Sequence, residues 1–180
     1  MLNLYAVLLG GRAAGCNTEL HDVVFVVGNT LEETYPMLVK KWFGMRHQLH
    51  IDASIKLQYV DGHEVIVSHE PAKHENDYQL YFCNFGGYRK GYFGELHEVG
   101  FYVAPSMDSA LAKAKQELCQ PLFQQHCDDK MLVDDLFVLD KVDRYHICLY
   151  STTASANMNV ESHYIKLDVP EIIREADGIS

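Results

Sequence analysis

The chain repeats itself. Shifted by 76 positions, residues 4–27 lie on residues 80–103 without a gap, and eleven pairs are identical. They are Leu4/Leu80, Tyr5/Tyr81, Gly10/Gly86, Gly11/Gly87, Gly15/Gly91, Glu19/Glu95, Leu20/Leu96, His21/His97, Val23/Val99, Phe25/Phe101 and Val27/Val103. Average composition yields roughly one or two matches over such a window. Two copies of one unit need equivalent surroundings, and a pseudo-twofold pairing supplies them. That constraint narrows the fold more than any other feature of the chain.

The ungapped register continues into a helical stripe. Leu31, Tyr35, Leu38 and Trp42 in the first copy, and Met107, Leu111, Ala114 and Leu118 in the second, share the spacing i, i+4, i+7, i+11. This predicts helices near 31–43 and 107–119. Thr30 and Ser106 stand as N-caps, and Glu33 completes a capping box in the first copy. Pro36 predicts a kink or a late start there. After the helices the copies realign six residues further out, with Asp52 on Asp134 and Asp61 on Asp143. Asp61-Gly62 is a two-residue hairpin signal, and Asp143-Arg144 is its weaker counterpart.

Each copy therefore reads β-β-α-β-β. The expected organisation is a first unit over 1–67, a linker over 68–77, a second unit over 78–150 and a C-terminal extension over 151–180. The extension carries a strand near 163–169 and a short helix from Pro170. The fold class is α+β: antiparallel sheets with helices packed on them, the two repeats related by a pseudo-twofold.

Along the second strand of each copy the identical residues alternate by two, so they share one face. The expected core is Val23, Phe25, Val27, Val99, Phe101 and Val103, nearly fully buried, with Leu38, Trp42, Leu111 and Leu118. Glu19, His21, Glu95 and His97 extend the same row, so at least partial burial of a carboxylate and an imidazole is expected in each copy. Burying such groups demands a partner.

Charge and cysteines bound the function. Fifteen basic against 25 acidic residues give −10, an unfavourable field for a phosphate backbone, and nucleic acid is excluded as a partner. Cys16, Cys83, Cys119, Cys127 and Cys148 are odd in number and scattered, which points to reduced thiols in a cytoplasm. The apolar start at residues 1–10 recurs inside the chain and so is not read as a signal peptide. The next apolar run, Val23 to Val27, is too short to span a bilayer. A cytoplasmic protein without a membrane partner is the expectation.

The motif G-G-x-x-x-G-x-x-x-E-L-H-D-x-x-F, carried by Gly10, Gly11, Gly15, Glu19, Leu20, His21, Asp22 and Phe25, is followed by a helix ending in Lys41-Trp42 and then by His50-Ile-Asp52. This pattern resembles the bacterial family called domain of unknown function 1543, whose members carry one or two copies of such a unit. The second copy departs from it at Glu98, Leu118 and Leu132, which replace the aspartate, the tryptophan and the histidine. The resemblance implies the tandem plan and no activity.

Chemistry-bearing residues are few. In one reading Glu19/His21 and Glu95/His97 pair with each other or with backbone and fix strand register. In the other, together with Asp52 and Asp134, they line a metal or acid–base site between the halves, with donors suited to Zn, Mn or Fe. The E-x-H spacing lacks the tightness of known metal motifs, so the expectation is no metal and no cofactor. Gly10-Gly11 and Gly86-Gly87 precede a strand rather than a helix, which rules out a nucleotide phosphate cradle. Arg12, Arg89 and Lys90 beside Gly11 and Gly87 are candidates for binding a small anionic ligand. His47-x-x-His50-x-Asp52 has ligand chemistry but does not recur, and Cys119, His126 and Cys127 are spaced unlike a zinc knuckle.

The function expected from these features is a small binding or regulatory module with a ligand or partner site between the repeats. The alternative is a metal-dependent or acid–base enzyme using Glu19, His21, Glu95 and His97 as catalytic residues. A third reading is an interaction protein whose strand edges pair with another copy in self-association.

Overall fold

The computed structural model of the chain describes residues 1–71, 77–118, 132–154 and 158–179. In the first repeat, strand β1 (Asn3–Arg12) returns antiparallel as β2 (Leu20–Gly28). A 3₁₀ turn (Glu32–Thr34) leads into helix α1 (Tyr35–Lys41) and then the long strand β3 (Met45–Leu57). The short β4 (Tyr59–Val60) and β5 (His63–Ser68) form a hairpin. Asp61 and Gly62 at its tip have φ of 48° and 72°, the left-handed pair that such a turn requires.

The second repeat runs in the same order. It comprises β6 (Gln79–Gly87), β7 (Leu96–Ala104), α2 (Met107–Glu117), β8 (Leu132–Val138), β9 (Lys141–Val142) and β10 (Tyr145–Ser151). Register matches as well as order. Gly10 faces His21 and Gly86 faces His97. Both copies also carry a β-bulge at one place: Asp52 is the extra residue opposite Leu8/Leu9, and Asp134 opposite Asn84/Phe85.

The copies are joined through β5 and β10, which pair antiparallel with Ile66 opposite Cys148. Those two positions are each other's equivalents, and the flanking pairs Val65/Leu149 and Val67/Ile147 exchange places under the same shift. An interface that maps onto itself in this way is isologous, the mark of a twofold. Contacts across it run both ways, through the equivalent Asp61 and Asp143 and lysines one helical turn apart in the repeat. Lys113 Nζ of the second repeat lies 3.0 Å from Asp61 Oδ2 of the first, and Lys41 Nζ of the first lies 2.8 Å from Asp143 Oδ1 of the second. Asp61 Oδ2 also accepts the Val103 N–H at 2.9 Å.

Three apolar clusters define a helix–sheet–sheet–helix stack. The central one joins the sheets through Leu4, Ala6, Leu80, Phe82, Phe101 and Val103. An outer cluster packs Val24, Val26 and Ile51 under Leu38 and Trp42 of the first helical layer. The other packs Cys83, Phe85 and Tyr102 under Ala110 and Ala114 of α2. No helix among the described residues is long and apolar enough to cross a membrane.

The core differs from the expectation in one respect. Phe101, Val103, Leu38, Trp42 and Leu118 are buried, but Val23, Phe25, Val27 and Leu111 are only half-buried and Val99 is 38% exposed. In β2 the fully buried residues are Val24 and Val26, on the helix side. The identical face looks across at the other sheet, and along β7 burial falls from Val103 and Phe101 to Val99 and His97, which line an open cleft. α1 is also shorter than expected: Pro36 sits in its first turn, where its missing N–H is harmless, and the preceding residues form the 3₁₀ turn. α2 reaches Glu117 with Ser106 as its cap, the hydroxyl accepting the Ser109 N–H. Cys119, His126 and Cys127 lie outside the described residues, as do positions 72–76 of the linker.

The extension belongs to the first repeat alone. Strand β11 (Val160–Lys166) pairs with the free edge of β3, and helix α3 (Pro170–Gly178) packs on α1. Its Leu167 and Ala176 enter the cluster under Trp42.

Phe85→Ala, which empties a wholly buried site, is expected to destabilise the fold by about 3–5 kcal/mol. Phe25→Ala, at the cleft, should lose clearly less in the same urea titration. Equal losses would contradict the assignment of the two faces.

Candidate functional site

Gly10 is the centre of the site. In the strand order β11-β3-β1-β2 it stands directly between His50 on β3 and His21 on β2. Adjacent strands are about 4.8 Å apart, so side chains of β2 and β3 meet above β1 only where β1 carries none. A Cβ on Gly10 would lie 2.5 Å from Asp52 Oδ2 and 2.6 Å from His50 Nε2. The bulge supplies Asp52, and Glu19 enters from the loop before β2.

Four side chains converge there. His21 Nε2 lies 3.4 Å from Glu19 Oε1 and 3.2 Å from Asp52 Oδ2. His50 Nε2 lies 3.3 Å from Asp52 Oδ1 and 3.8 Å from Glu19 Oε1. His50 is buried, while Glu19 and His21 are half-exposed. Glu19 and His21 are more exposed than their place in the apolar row implies, and the buried imidazole is His50, which does not recur in the second copy.

The surroundings of His50 fix its role. Its Nδ1 is 2.7 Å from the Gln48 carbonyl, an acceptor, so Nδ1 carries the proton and donates it. Nε2 then faces the two carboxylates, as an acceptor in the neutral ring or a second donor in the imidazolium. Gln48 itself adopts φ 63°, a left-handed conformation unusual for a non-glycine residue. Its N–H is held at 3.0 Å by Asp168 Oδ2, just after β11. The Tyr164 ring of β11 covers His50 at 4.5 Å between ring centres. Asp52 Oδ2 is buried and accepts no hydrogen bond. Among the described residues, no Lys or Arg forms an ion pair with Glu19 or Asp52.

The second repeat is not equivalent here. Glu95 Oε2 and His97 Nε2 are 3.9 Å apart, but the position matching His50 is Leu132. The side chains of residues 132–134, Asp134 included, lie outside the described part.

Beside this cluster a cleft of about 820 Å³ opens between the two sheets. Both repeats line it through equivalent residues, His21 with His97 and Val23 with Val99. Its apolar wall is formed by Phe82, Phe101 and Phe137, each meeting Phe25 edge to face at centroid separations of 5.4–6.3 Å. Its polar side carries Asp22, Asn84 and Asp135. Asn84 Nδ2 donates to Asp135 Oδ2 at 3.3 Å, but Asn84 Oδ1 is buried with no donor. Loss of solvent around the Asp22 carboxyl, with Asp135 adding repulsion, raises its pKa above the usual carboxylate value.

The basic residues beside the glycine loops do not line this cleft. Arg12 is half-buried at the end of β1, opposite Met45. Arg89 stacks on Tyr92 at 5.1 Å, and Lys90 is exposed. Gly11 has a packing role, because a Cβ there would meet Trp42 Cζ2 at 2.9 Å. Gly87 ends β6 opposite Leu96. Cys16 and Cys83 are free thiols, and burial pushes the Cys83 thiol up to about 11.

A family model described as Domain of Unknown Function (DUF1543) matches residues 16–67 and 93–149, one segment in each repeat. Among solved structures, the chain is similar to a protein designated Il1583 from Idiomarina loihiensis, with 30% identity and a TM-score of 0.71. The likeness covers 93% of this chain and 98% of that one. No curated protein matches.

Gly10→Ala tests the cluster's geometry. The added methyl has no room beside Asp52 and His50, so a loss of about 1–3 kcal/mol is expected in a denaturant titration. In a His50→Ala background the same change should be less harmful. A neutral Gly10→Ala in both backgrounds would contradict the close approach.

Proposed function

The chain belongs to the Domain of Unknown Function (DUF1543) family, and from the way its two copies face each other we propose that it binds a small organic amine in the cleft between the repeats. The observation that carries this reading is the lining: His21 and Val23 from one copy meet His97 and Val99 from the other. Residues left identical by the duplication thus surround one shared space.

Size and chemistry support a small ligand. About 820 Å³ falls within the roughly 300–1,000 Å³ of small-molecule sites, which are mostly apolar with a few placed polar groups. Phe137, 41% exposed, offers its ring to the cleft, and aromatic rings attract cations as well as apolar bodies. The polar side is rich in acceptors: two carboxylates and the donorless Asn84 Oδ1. Acceptors crowded in a partly desolvated space favour a ligand that brings hydrogens and positive charge. An aromatic or aliphatic body ending in an ammonium group has those features. The small anion anticipated beside Arg12, Arg89 and Lys90 fits this cleft poorly, because its own charge would face Asp22 and Asp135.

Paired probes of one shape test the proposal. 1-Naphthylmethylamine is expected to raise the melting temperature, and 1-naphthoate is not. Saturation at 100 times Kd adds about 2.7 kcal/mol, a shift of several degrees at this chain length. Val99→Trp, which fills the cleft from a partly exposed position, should abolish the shift while leaving the free protein folded. The ionised Asp22 is the form that pairs with an ammonium, so affinity should strengthen as pH rises through its elevated pKa. His21, His97 and Asp135 share the cleft, and Asp22→Asn should flatten the acidic part of that profile. Equal stabilisation by the naphthoate, or by the amine in Val99→Trp, would overturn the reading.

A further inference from the structure

We propose that Glu19, His21, His50 and Asp52 form a binding site for one divalent first-row transition metal ion, present in the first repeat only. This goes beyond the amine cleft and does not depend on it, although His21 borders both.

The separations are the first argument. Hydrogen bonds from an imidazole N–H to a carboxylate run about 2.7–3.2 Å. The four distances here are 3.2, 3.3, 3.4 and 3.8 Å, at or beyond the long end of that range. Ligands about 2.0–2.2 Å from a tetrahedral zinc ion are spaced about 1.63 bond lengths apart, or roughly 3.3–3.6 Å. The loose spacing leaves room for an ion among Glu19, His50 and Asp52, with His21 beside them. Glu19, His50 and Asp52 each place a ligand atom within 4.8 Å of the others.

The second argument is the protonation pattern. His50 Nδ1 gives its hydrogen to the Gln48 carbonyl, so Nε2 is the ring atom that faces Asp52 and Glu19. Two carboxylates and an imidazole nitrogen facing inward are held together by a positive charge among them, a metal ion or a second proton on the ring. Metal-ligating histidines are characteristically held in this way by a backbone carbonyl on the other ring nitrogen. Asp52 Oδ2 is buried and makes no hydrogen bond, although His21 Nε2 stands 3.2 Å from it, so the two atoms face each other as ligands would. The supporting shell is itself built: Asp168 holds Gln48 in its left-handed conformation, and Tyr164 covers the imidazole.

Donor type sets the class of metal. Two imidazoles with two carboxylates suit Zn²⁺, Fe²⁺ or Mn²⁺ and are poor for Ca²⁺ or Mg²⁺, which prefer oxygen alone. Leu132 in place of His50 removes the buried ligand from the second repeat, so the stoichiometry is one ion per chain.

Protein made without a histidine tag, stripped with a chelator and titrated with Zn²⁺ is expected to bind one equivalent. Elemental analysis after gel filtration counts the ion, and Co²⁺ substitution reports ligation through its visible absorption. Glu19→Gln and His21→Ala alter half-exposed side chains and should weaken Zn²⁺ binding about tenfold or more, as should His50→Gln. His97→Ala, at the equivalent position of the second repeat, should bind like the wild type. Val99→Trp should keep the metal even though it blocks the cleft, so the two proposals fail separately. No retained Zn²⁺ in the wild type would overturn the site. Unchanged affinity in folded His21→Ala and His50→Gln, or loss of the ion in His97→Ala, would do the same.

Discussion

The pairing of β5 with β10 is the contact on which the architecture rests. Ile66 and Cys148 are equivalent residues, so the ladder around them relates the two repeats by the same rotation along its whole length. Once that ladder forms, the two larger sheets must face each other with their helices outside. Each repeat alone would leave the face bearing Leu4, Ala6, Leu80, Phe82, Phe101 and Val103 open to water. Joined, they bury it in one central cluster, and burial of apolar area is the dominant favourable term in such an association. The crossed ion pairs of Lys41 with Asp143 and Lys113 with Asp61 join the equivalent aspartates to lysines at non-equivalent positions. They are partly exposed, so they fix orientation more than they add stability.

The symmetry is broken where chemistry is concentrated. Both copies retain a glycine opposite a histidine and a bulge carrying an aspartate. Only the first adds His50, and only the first is covered by the extension. The two differences are linked. β11 brings Tyr164 onto the His50 ring, and Asp168 beyond it holds the backbone that accepts the His50 proton. The residues that build this support lie more than a hundred positions from the ligands they orient. A duplicated scaffold has thereby acquired one specialised half while the other retains the frame.

Much of this was legible in the sequence because the duplication supplied its own comparison. Strand order, the Asp61-Gly62 hairpin, the Ser106 cap and the late start at Pro36 all follow from local chemistry combined with the 76-residue shift. The relative burial of the two strand faces did not follow. Periodicity shows that Val23, Phe25 and Val27 share a face, but a sheet covered on both sides has two apolar faces. Which is drier depends on how closely the second sheet approaches. His50 was obscured for a related reason: comparing the copies favours what recurs, and His50 matters because it does not. No sequence signal showed that β11 would dock on β3, since a strand's partner is set by a tertiary edge rather than by its own pattern.

The account turns on whether the first repeat holds an ion that the second cannot. Crystals grown with Zn²⁺ and measured at the zinc absorption edge would give an anomalous difference map that answers this directly. The expected result is one strong peak about 2.0–2.1 Å from His50 Nε2, within bonding reach of Asp52, Glu19 and His21, and none between Glu95 and His97. Peaks of equal height in both repeats, or an empty first repeat in crystals that hold zinc elsewhere, would contradict it.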